Sequence, residues 1–300
     1  MQDILQTIHT NLSTPSPDAR RIFHGRGHCF PGFENLVIDC YPPAILISLF
    51  AEMDEAVLLS VCETIINAAP SEMDCLVIQR RYEERAPREI VHGELPASHH
   101  VSEGALQFRV GLDYAQNTGL FLDMKNGRRW LTENAAGKRV LNLFSYTCSL
   151  SVAALVGGAE RVVNFDMSRQ SLNTGRENHR LNDIDMGKVE FFANDIRKSW
   201  GRIRKKGPYG LIIIDPPSFQ KGSFDVRKDY RRIIRRLPES ASAGAQIFAA
   251  LNSPDLDCQF LREIFSEELP DARFIERIPA LDSFPEKHPE RNLKLLLFEL

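Results

Sequence analysis

The chain has 300 residues, 43% of them hydrophobic and 26% charged, with a formal net charge of -3. That balance excludes a disordered or fibrous chain, and the length admits one large domain or two modest ones. No apolar run is long enough to span a bilayer, so no membrane partner is expected, and the opening MQDILQTIHTNLSTPSPDARR has no cleavable hydrophobic block, which predicts a cytoplasmic protein. The six cysteines are scattered without CxxC spacing, several inside apolar runs where a reduced thiol acts as a small hydrophobe. His24, His28 and Cys29 sit in a Gly-rich turn with no second ligand pair, so no metal site is expected.

In chain order, Ile4, Ile8 and Leu12 recur at helical spacing over 1–12, and the Ser/Pro stretch 13–18 ends that helix. Short β-type runs follow at 21–24, 36–41 and 45–50, then an amphipathic helix over 54–68 and an apolar run over 75–79. These make a small N-terminal α+β domain, 1–100. Its last stretch, 80–100, is rich in charge, Pro and His, with little periodicity, and reads as a connection.

From Ala105 strands and helices alternate, the pattern of a parallel sheet covered on both faces, and this defines the second domain, 101–300. The spacing predicts a strand over 105–110, a helix over 124–133, a βαβ unit over 138–166, a helix over 168–181 and a strand over 188–193. A basic helix or loop runs to Lys206, the very apolar strand 209–214 follows, then a helix over 225–237, a strand over 245–251 and a helix over 255–267. The segments 272–278 and 293–299 pair as a terminal hairpin. The fold class is α/β, a doubly wound, Rossmann-like, seven-stranded sheet preceded by the small α+β domain.

The organising stretch is KRVLNLFSYTCSLSVAALVGGAERVVNFD, 138–166. After the first strand, Ser145 to Ser149 are small or hydroxylated where a helix starts, so the backbone can approach a ligand and the first helical N–H groups are free to donate. Asp166, ending the second strand, is placed to accept from ribose hydroxyls. Ser145, Thr147 and Cys148 stand where the glycines of a G-x-G-x-x-G motif would fall, which disfavours a pyrophosphate-bearing cofactor and favours a phosphate-free nucleoside such as S-adenosylmethionine.

NLFSYTCSLSVAA, FDMS at 165–168, ENHRLN at 177–182, NDI at 194–196 and DPPSF at 215–219 together resemble, in order and spacing, the motifs of class I S-adenosylmethionine-dependent methyltransferases. The likeness is strongest to the bacterial 23S ribosomal RNA base methyltransferases. DYAQNTGLFLDMKNGRRWL at 113–131 is similar to the lead-in segment of the guanine-N7 type, and RIFHGRGHCFPGFENLVIDCY at 21–41 to the linker domain found also in the cytosine-C5 type. Two departures are that Cys148 replaces the usual glycine and that the N-terminal RNA-binding module of many relatives is expected to be missing.

The resemblance implies that Thr118, Phe121, Asn142, Phe144, Ser145, Tyr146, Thr147, Asp166, Met167, Asn194, Asp195, Ile196 and Asp215 bind the cofactor. Ser145, Tyr146 and Thr147 would take its methionine end, Asp166 the ribose and Asp195 the adenine amine. Either Asp166 or Asp195 could instead only cap the backbone that follows it. The catalytic set is Asp215, Pro216, Pro217, Phe219 and Asn252. The two prolines fix the backbone, Phe219 would stack a flipped base, and Asp215 either positions the sulfonium or hydrogen-bonds the base.

Arg227, Lys228, Arg231, Arg232, Arg235 and Arg236 form a stripe opposite the apolar face Val226, Tyr230, Ile233, Ile234 and Leu237. Like charges at this spacing are costly unless an anion neutralises them, so Arg227, Lys228, Arg231, Arg232 and Arg235 are read as RNA-binding, beside a second cluster at 197–206. The expected activity is methylation of a ribosomal RNA base at a ring nitrogen such as guanine N7. Methylation of a small molecule or protein, or a catalytically silent RNA-binding relative with Cys148 crowding the cofactor, are the alternatives.

Overall fold

The structure, a computed structural model, describes every residue except Glu72, 113–116 and 221–223. The first four residues of the lead-in segment therefore lie outside the described residues. Two compact units are present, Met1–Leu122 with Leu281–His288, and Asp123–Ala280 with Pro289–Leu300.

The first unit begins with helix α1 (Gln2–Ser13), whose Ile4, Ile8 and Leu12 are all buried. Strands β1 (Arg20–His24), β2 (Leu36–Tyr41) and β3 (Ala44–Leu49) lead to α2 (Glu55–Ala68), whose N-cap Asp54 accepts from the amides of Ala56 and Val57. Strands β4 (Cys75–Arg80) and β5 (Arg88–His92) complete a mixed sheet in the order β1-β2-β3-β4-β5. The run 80–100 thus contains a strand where a connection was expected. Four of the five β5 residues are exposed, so an outermost strand there needs no alternation of apolar and polar residues to betray it. The expected strand 105–110 is in fact one arm of a hairpin, β6 (His100–Glu103) with β7 (Leu106–Arg109).

The second unit is the doubly wound α/β fold. Helix α3 (Lys125–Asn134) precedes β8 (Arg139–Leu143), α4 (Ser149–Val156), β9 (Arg161–Asp166), α5 (Arg169–Leu181) and β10 (Val189–Ala193). After α6 (Trp200–Lys206) come β11 (Tyr209–Ile214), a short antiparallel pair β12 (Phe219–Gln220) and β13 (Phe224–Asp225), and α7 (Val226–Ile234). The chain ends with β14 (Ala241–Leu251), α8 (Cys258–Glu268), β15 (Arg273–Ile278) and β16 (Lys294–Glu299).

The seven strands run in the order β10-β9-β8-β11-β14-β16-β15, with β16 antiparallel to both of its neighbours. Ile212, Ile213 and Ile214 of β11 are all fully buried, because helices cover both faces of this parallel strand. Each such burial stabilises the fold by roughly 1.5–3 kcal/mol. Helix α8 starts at Cys258 rather than 255, since Asp257 is its N-cap and accepts from the amide of Phe260. Among the described residues no helix is long and apolar enough to cross a membrane.

Register now fixes the site. Leu143 pairs with Phe165 and with Ile214, Asp166 with Ala193, and Ile214 with Ala249. The C-terminal ends of five parallel strands are therefore level. The residues leaving them, Ser145, Asp166, Asn194, Asp215 and Asn252, emerge along one edge of the sheet. The strand order reverses between β8 and β11, and in open α/β sheets the crevice at such a switch point is where ligands bind.

Candidate active site

The turn after β8 holds three non-glycine residues in the left-handed region, Phe144 (φ 60°), Tyr146 (φ 46°) and Cys148 (φ 63°). Each costs on the order of 1 kcal/mol relative to an ordinary conformation, so the loop persists only because its surroundings hold it. Backbone and side-chain groups both hold it. Ser145 N–H donates to Phe165 O (3.1 Å) and Cys148 N–H to Ser145 O (2.7 Å). The Asn178 amide from α5 donates to Thr147 O at 2.9 Å.

Asp166 ties this turn to the next strand. Its Oδ2 accepts from Tyr146 N–H at 2.8 Å and its Oδ1 from Ser168 N–H at 2.7 Å. Burial pushes its carboxyl above the usual range, opposed by the backbone donors of Ser168, Tyr146 and Met167. Asp166 is thus a backbone acceptor, as the capping reading required, yet each oxygen keeps a lone pair for a ligand donor. Asp195 is more fully engaged, accepting from Arg197 N–H (2.9 Å) and from its guanidinium (3.2 and 3.1 Å). That guanidinium holds Asp195 below the usual carboxylate range.

Cys148 does not present its side chain to the cradle. It is fully buried, and its Sγ lies 2.6 Å from where a Cβ on Gly175 of α5 would stand. The absent side chain of Gly175 therefore makes the room that a cysteine in this turn needs, and crowding of the cofactor by Cys148 is not what the geometry shows.

The other expected cofactor residues differ in their surroundings. Asn142, only 1% exposed, donates within the sheet to Asn164 Oδ1 (2.9 Å), in a network that runs on through Ser151 to His179. A strand interior cannot present such a side chain to the crevice. The Phe144 ring packs edge-on against Phe224 at 5.0 Å. Ile196 is buried, Met167 is 52% exposed, and the Asn194 amide oxygen accepts from Arg202 at 2.8 Å. Thr118 and Phe121 belong to the first unit, where the Thr118 hydroxyl contacts Tyr41 Oη at 3.1 Å.

Asp215 leaves β11 at the centre of the edge. Burial, and then the like charge of Asp123, push its carboxyl up to about 7, opposed by the guanidinium of Arg128. Arg128, in α3, is completely buried, and sequence reading missed both it and Asp123. A fully buried arginine inside GRRW carries no periodic signal that separates it from its exposed neighbour Arg129. Pro216 is buried, while Phe219 is 69% exposed, an aromatic side chain at the mouth of the site.

The end of β14 and the loop after it are anchored from three sides. Ser218 Oγ donates to Asn252 O, joining the two loops. Tyr230 Oη, from the apolar face of α7, donates to Ala250 O at 3.0 Å. Lys294 Nζ, wholly buried, donates to Ser253 O (2.7 Å) and Glu290 O (2.6 Å), and burial lowers its amine to about 8. A lysine inside the apolar run NLKLLLFEL was the signal for this anchor.

The basic stripe of α7 is largely neutralised within the protein. Arg231 pairs with Glu267 (2.6 Å) and Glu268 (3.3 Å), Arg235 with Glu268 (2.6 Å), Arg232 with Asp229 (2.9 Å) and Arg236 with Glu239 (2.9 Å). The expectation that the stripe requires an external anion is corrected, because α8 packs beside α7 and brings Glu267 and Glu268, while Asp229 and Glu239 pair with the arginines three residues away. Lys228 reaches Asp225 only at 3.9 Å, with its side chain 77% exposed.

The donor set suits a phosphate-free nucleoside. Ser145 Oγ is buried without a hydrogen-bond partner among the described residues, and acidic acceptors stand at the ends of β9 and β10. A doubly wound sheet with this turn after β8 and a D-P-P-x-aromatic loop after β11 defines a class I methyltransferase that uses S-adenosylmethionine. The chain belongs to that family: residues 20–299 match the S-adenosylmethionine-dependent methyltransferases. It is similar to the ribosomal RNA large subunit methyltransferase I of Escherichia coli O139:H28, 27% identical over 288 residues, covering 90% of this chain and 72% of the relative. The enzyme of that name from Shigella dysenteriae serotype 1 is equally similar, at 27% over 288 residues. Among solved structures, that of SMU.776 complexed with SAH superposes with a TM-score of 0.89 at 25% identity, covering 100% of this chain and 81% of that one. The complex of aTrm5 and tRNALeu shares the fold, with a TM-score of 0.61 at 15% identity over 88% of this chain and 71% of that one.

Proposed function

We propose that the chain methylates a base of ribosomal RNA at a ring nitrogen, guanine N7 being the first candidate, and that it works in the cytoplasm where that substrate is made. The RNA substrate is supported by the similarity to the large-subunit methyltransferases over 90% of the chain. The observation that carries the choice of nitrogen is the placement of the thiols. Carbon-5 of a pyrimidine becomes nucleophilic only after a thiolate adds to the ring. Cys148 is fully buried against α5, its thiol pushed up by burial, and Cys258 starts α8 with its thiol pushed up to about 11 by burial and by Glu290. The loop that follows β14 offers Asn252, Ser253 and Pro254 instead.

Bound S-adenosylmethionine supplies an electrophilic methyl group on a sulfonium. Ser145, Tyr146 and Thr147 would hold its methionine end, Asp166 its ribose, and Asn194, Asp195, Ile196 and Met167 its adenine. Phe219 would stack the flipped base, with Asn252 at its edge and Pro216 and Pro217 keeping the loop rigid. A nitrogen lone pair needs no proton removed, so alignment does most of the work. Ionised Asp215 would offset the positive charge that the ring acquires as the lone pair is used. Arg227 and Lys228, the least engaged cations of α7, would meet RNA phosphates, with Arg231, Arg232 and Arg235 contributing from within their ion pairs.

The test is methyl transfer from radiolabelled cofactor to ribosomal subunits and to deproteinised 23S RNA, with the product nucleoside mapped by mass spectrometry. Label in a ring-nitrogen-methylated base, retained by Cys148→Ser and Cys258→Ser, supports the reading. A 5-methylcytosine product, or label confined to protein or small molecules, overturns it.

A further inference from the structure

Strand β10 is the outermost strand of the sheet, and between it and α5 lies a cavity of about 400 Å³. Its walls include Arg169, Asn173 and Arg176 from α5 and Phe191, Phe192 and Asn194 from the other side. Of the residues assigned to the cofactor only Asn194 is shared, so this is a separate recess. Its size falls within the roughly 300–1,000 Å³ of small-ligand sites.

The chemistry of the walls is specific. The Arg176 guanidinium lies 4.6 Å over the Phe191 ring, while its Nη1 donates to Asn173 Oδ1 at 2.9 Å. Arg202 covers Phe192 at 5.1 Å, and Lys206 stands 5.9 Å from the same ring. No carboxylate lines the recess, and the acids nearby are already engaged. Glu190 is paired with Arg161 (2.8 Å) and Lys206 (2.6 Å), Asp195 with Arg197, and Asp166 with backbone N–H groups. Arg169 and Arg176 form no ion pair among the described residues. Two guanidinium groups without counter-charges, beside aromatic faces and amides, are the combination that binds an unpaired nucleotide. The cations meet the phosphate, and the flat planes stack the base without selecting its sequence.

We infer that this recess holds a nucleotide of the substrate RNA that flanks the target base, with its phosphate between Arg169 and Arg176 and its base against the Arg176–Phe191 plane. The inference rests on RNA being the substrate. It adds a footprint on the β10 side of the second unit, where the sequence pointed only to the cations of 197–206 and of α7.

The experiment uses the full chain, a fluorescent 23S RNA fragment that the wild type methylates, and the double variant Arg169→Ala/Arg176→Ala. Affinity for the fragment is expected to fall about tenfold, and the slope of log affinity against log salt to flatten by about 0.7, the contribution of one single-strand phosphate contact. KM for RNA rises with kcat retained, S-adenosylmethionine binds as before by calorimetry, and Arg169→Lys/Arg176→Lys restores the slope. Unchanged RNA affinity and slope in a folded variant overturn the inference. So does a parallel loss of cofactor affinity, which would make the recess part of the cofactor site. Tighter binding of guanosine monophosphate than of the fragment by the wild type would identify a free-nucleotide site instead and also overturn it. If the wild type methylates no RNA, it is the proposed function that fails, a result read before any variant is made.

Discussion

The burial of Asp215 predicts a pH dependence that can be worked out in advance. Its carboxyl titrates at about 7, so it is ~10% ionised at pH 6 and ~90% at pH 8. If the ionised form stabilises the charge developing on the base, the single-turnover rate rises about ninefold between those values, with one proton in the limb. Asp215→Asn keeps the shape, loses the titration, and is expected to give a slow, flat profile. Asp123→Asn removes a like charge that raises Asp215, and it should move the inflection to lower pH. The assay is rapid-quench methyl transfer to RNA at saturating cofactor, with the substrate's own titration checked separately. A flat wild-type profile, or an inflection that Asp123→Asn leaves in place, would refute the assignment. Stability carries the same signature with the opposite trend. The native state holds a proton that the unfolded chain releases near pH 4, so this group's contribution falls as pH rises from about 4 to 7. Asp215→Asn should abolish that decline in a denaturation series.

Asp166→Ala removes an acceptor of two backbone donors and is expected to cost roughly 1.5–3 kcal/mol of cofactor affinity; calorimetry on the folded variant giving wild-type affinity would reject the ribose role. Gly175→Ala drives a Cβ to 2.6 Å from Cys148 Sγ and should destabilise the protein by about 1–3 kcal/mol, whereas Cys148→Gly combined with Gly175→Ala should recover most of the loss. A strictly additive double-mutant cycle by chemical denaturation would show that the two residues do not share that space. Lys294→Met strands the carbonyls of Ser253 and Glu290, and a loss of ~1–3 kcal/mol is expected, with slower methyl transfer through a loosened Asn252 loop. Because burial lowers the Lys294 amine from 10.5 to about 8, its contribution to stability grows as pH rises through that interval, and melting curves of the methionine variant should lack this rise.

What the sequence determined by itself is what depends on local order. The run LIII before Asp215 reads as a central buried strand, the small or hydroxylated residues 145–149 mark a turn into a helix, and the spacing of FDMS, NDI and DPPSF places their acids after successive strands. Parallel register then brings these strand ends level, so that Asp166, Asp195 and Asp215 leave the sheet along one edge. The edge strand β5 was not legible, because an exposed strand has no inner face to leave a pattern. The fate of charges was also undetermined. Whether Arg231 and Arg235 meet RNA or Glu268, whether Lys294 is solvated or buried under the Asn252 loop, and whether Cys148 faces the cofactor or Gly175 all depend on partners distant in the chain. Only tertiary packing decides them, since a side chain's electrostatic energy is set by what lies within a few ångströms of it, and sequence neighbours are seldom those groups.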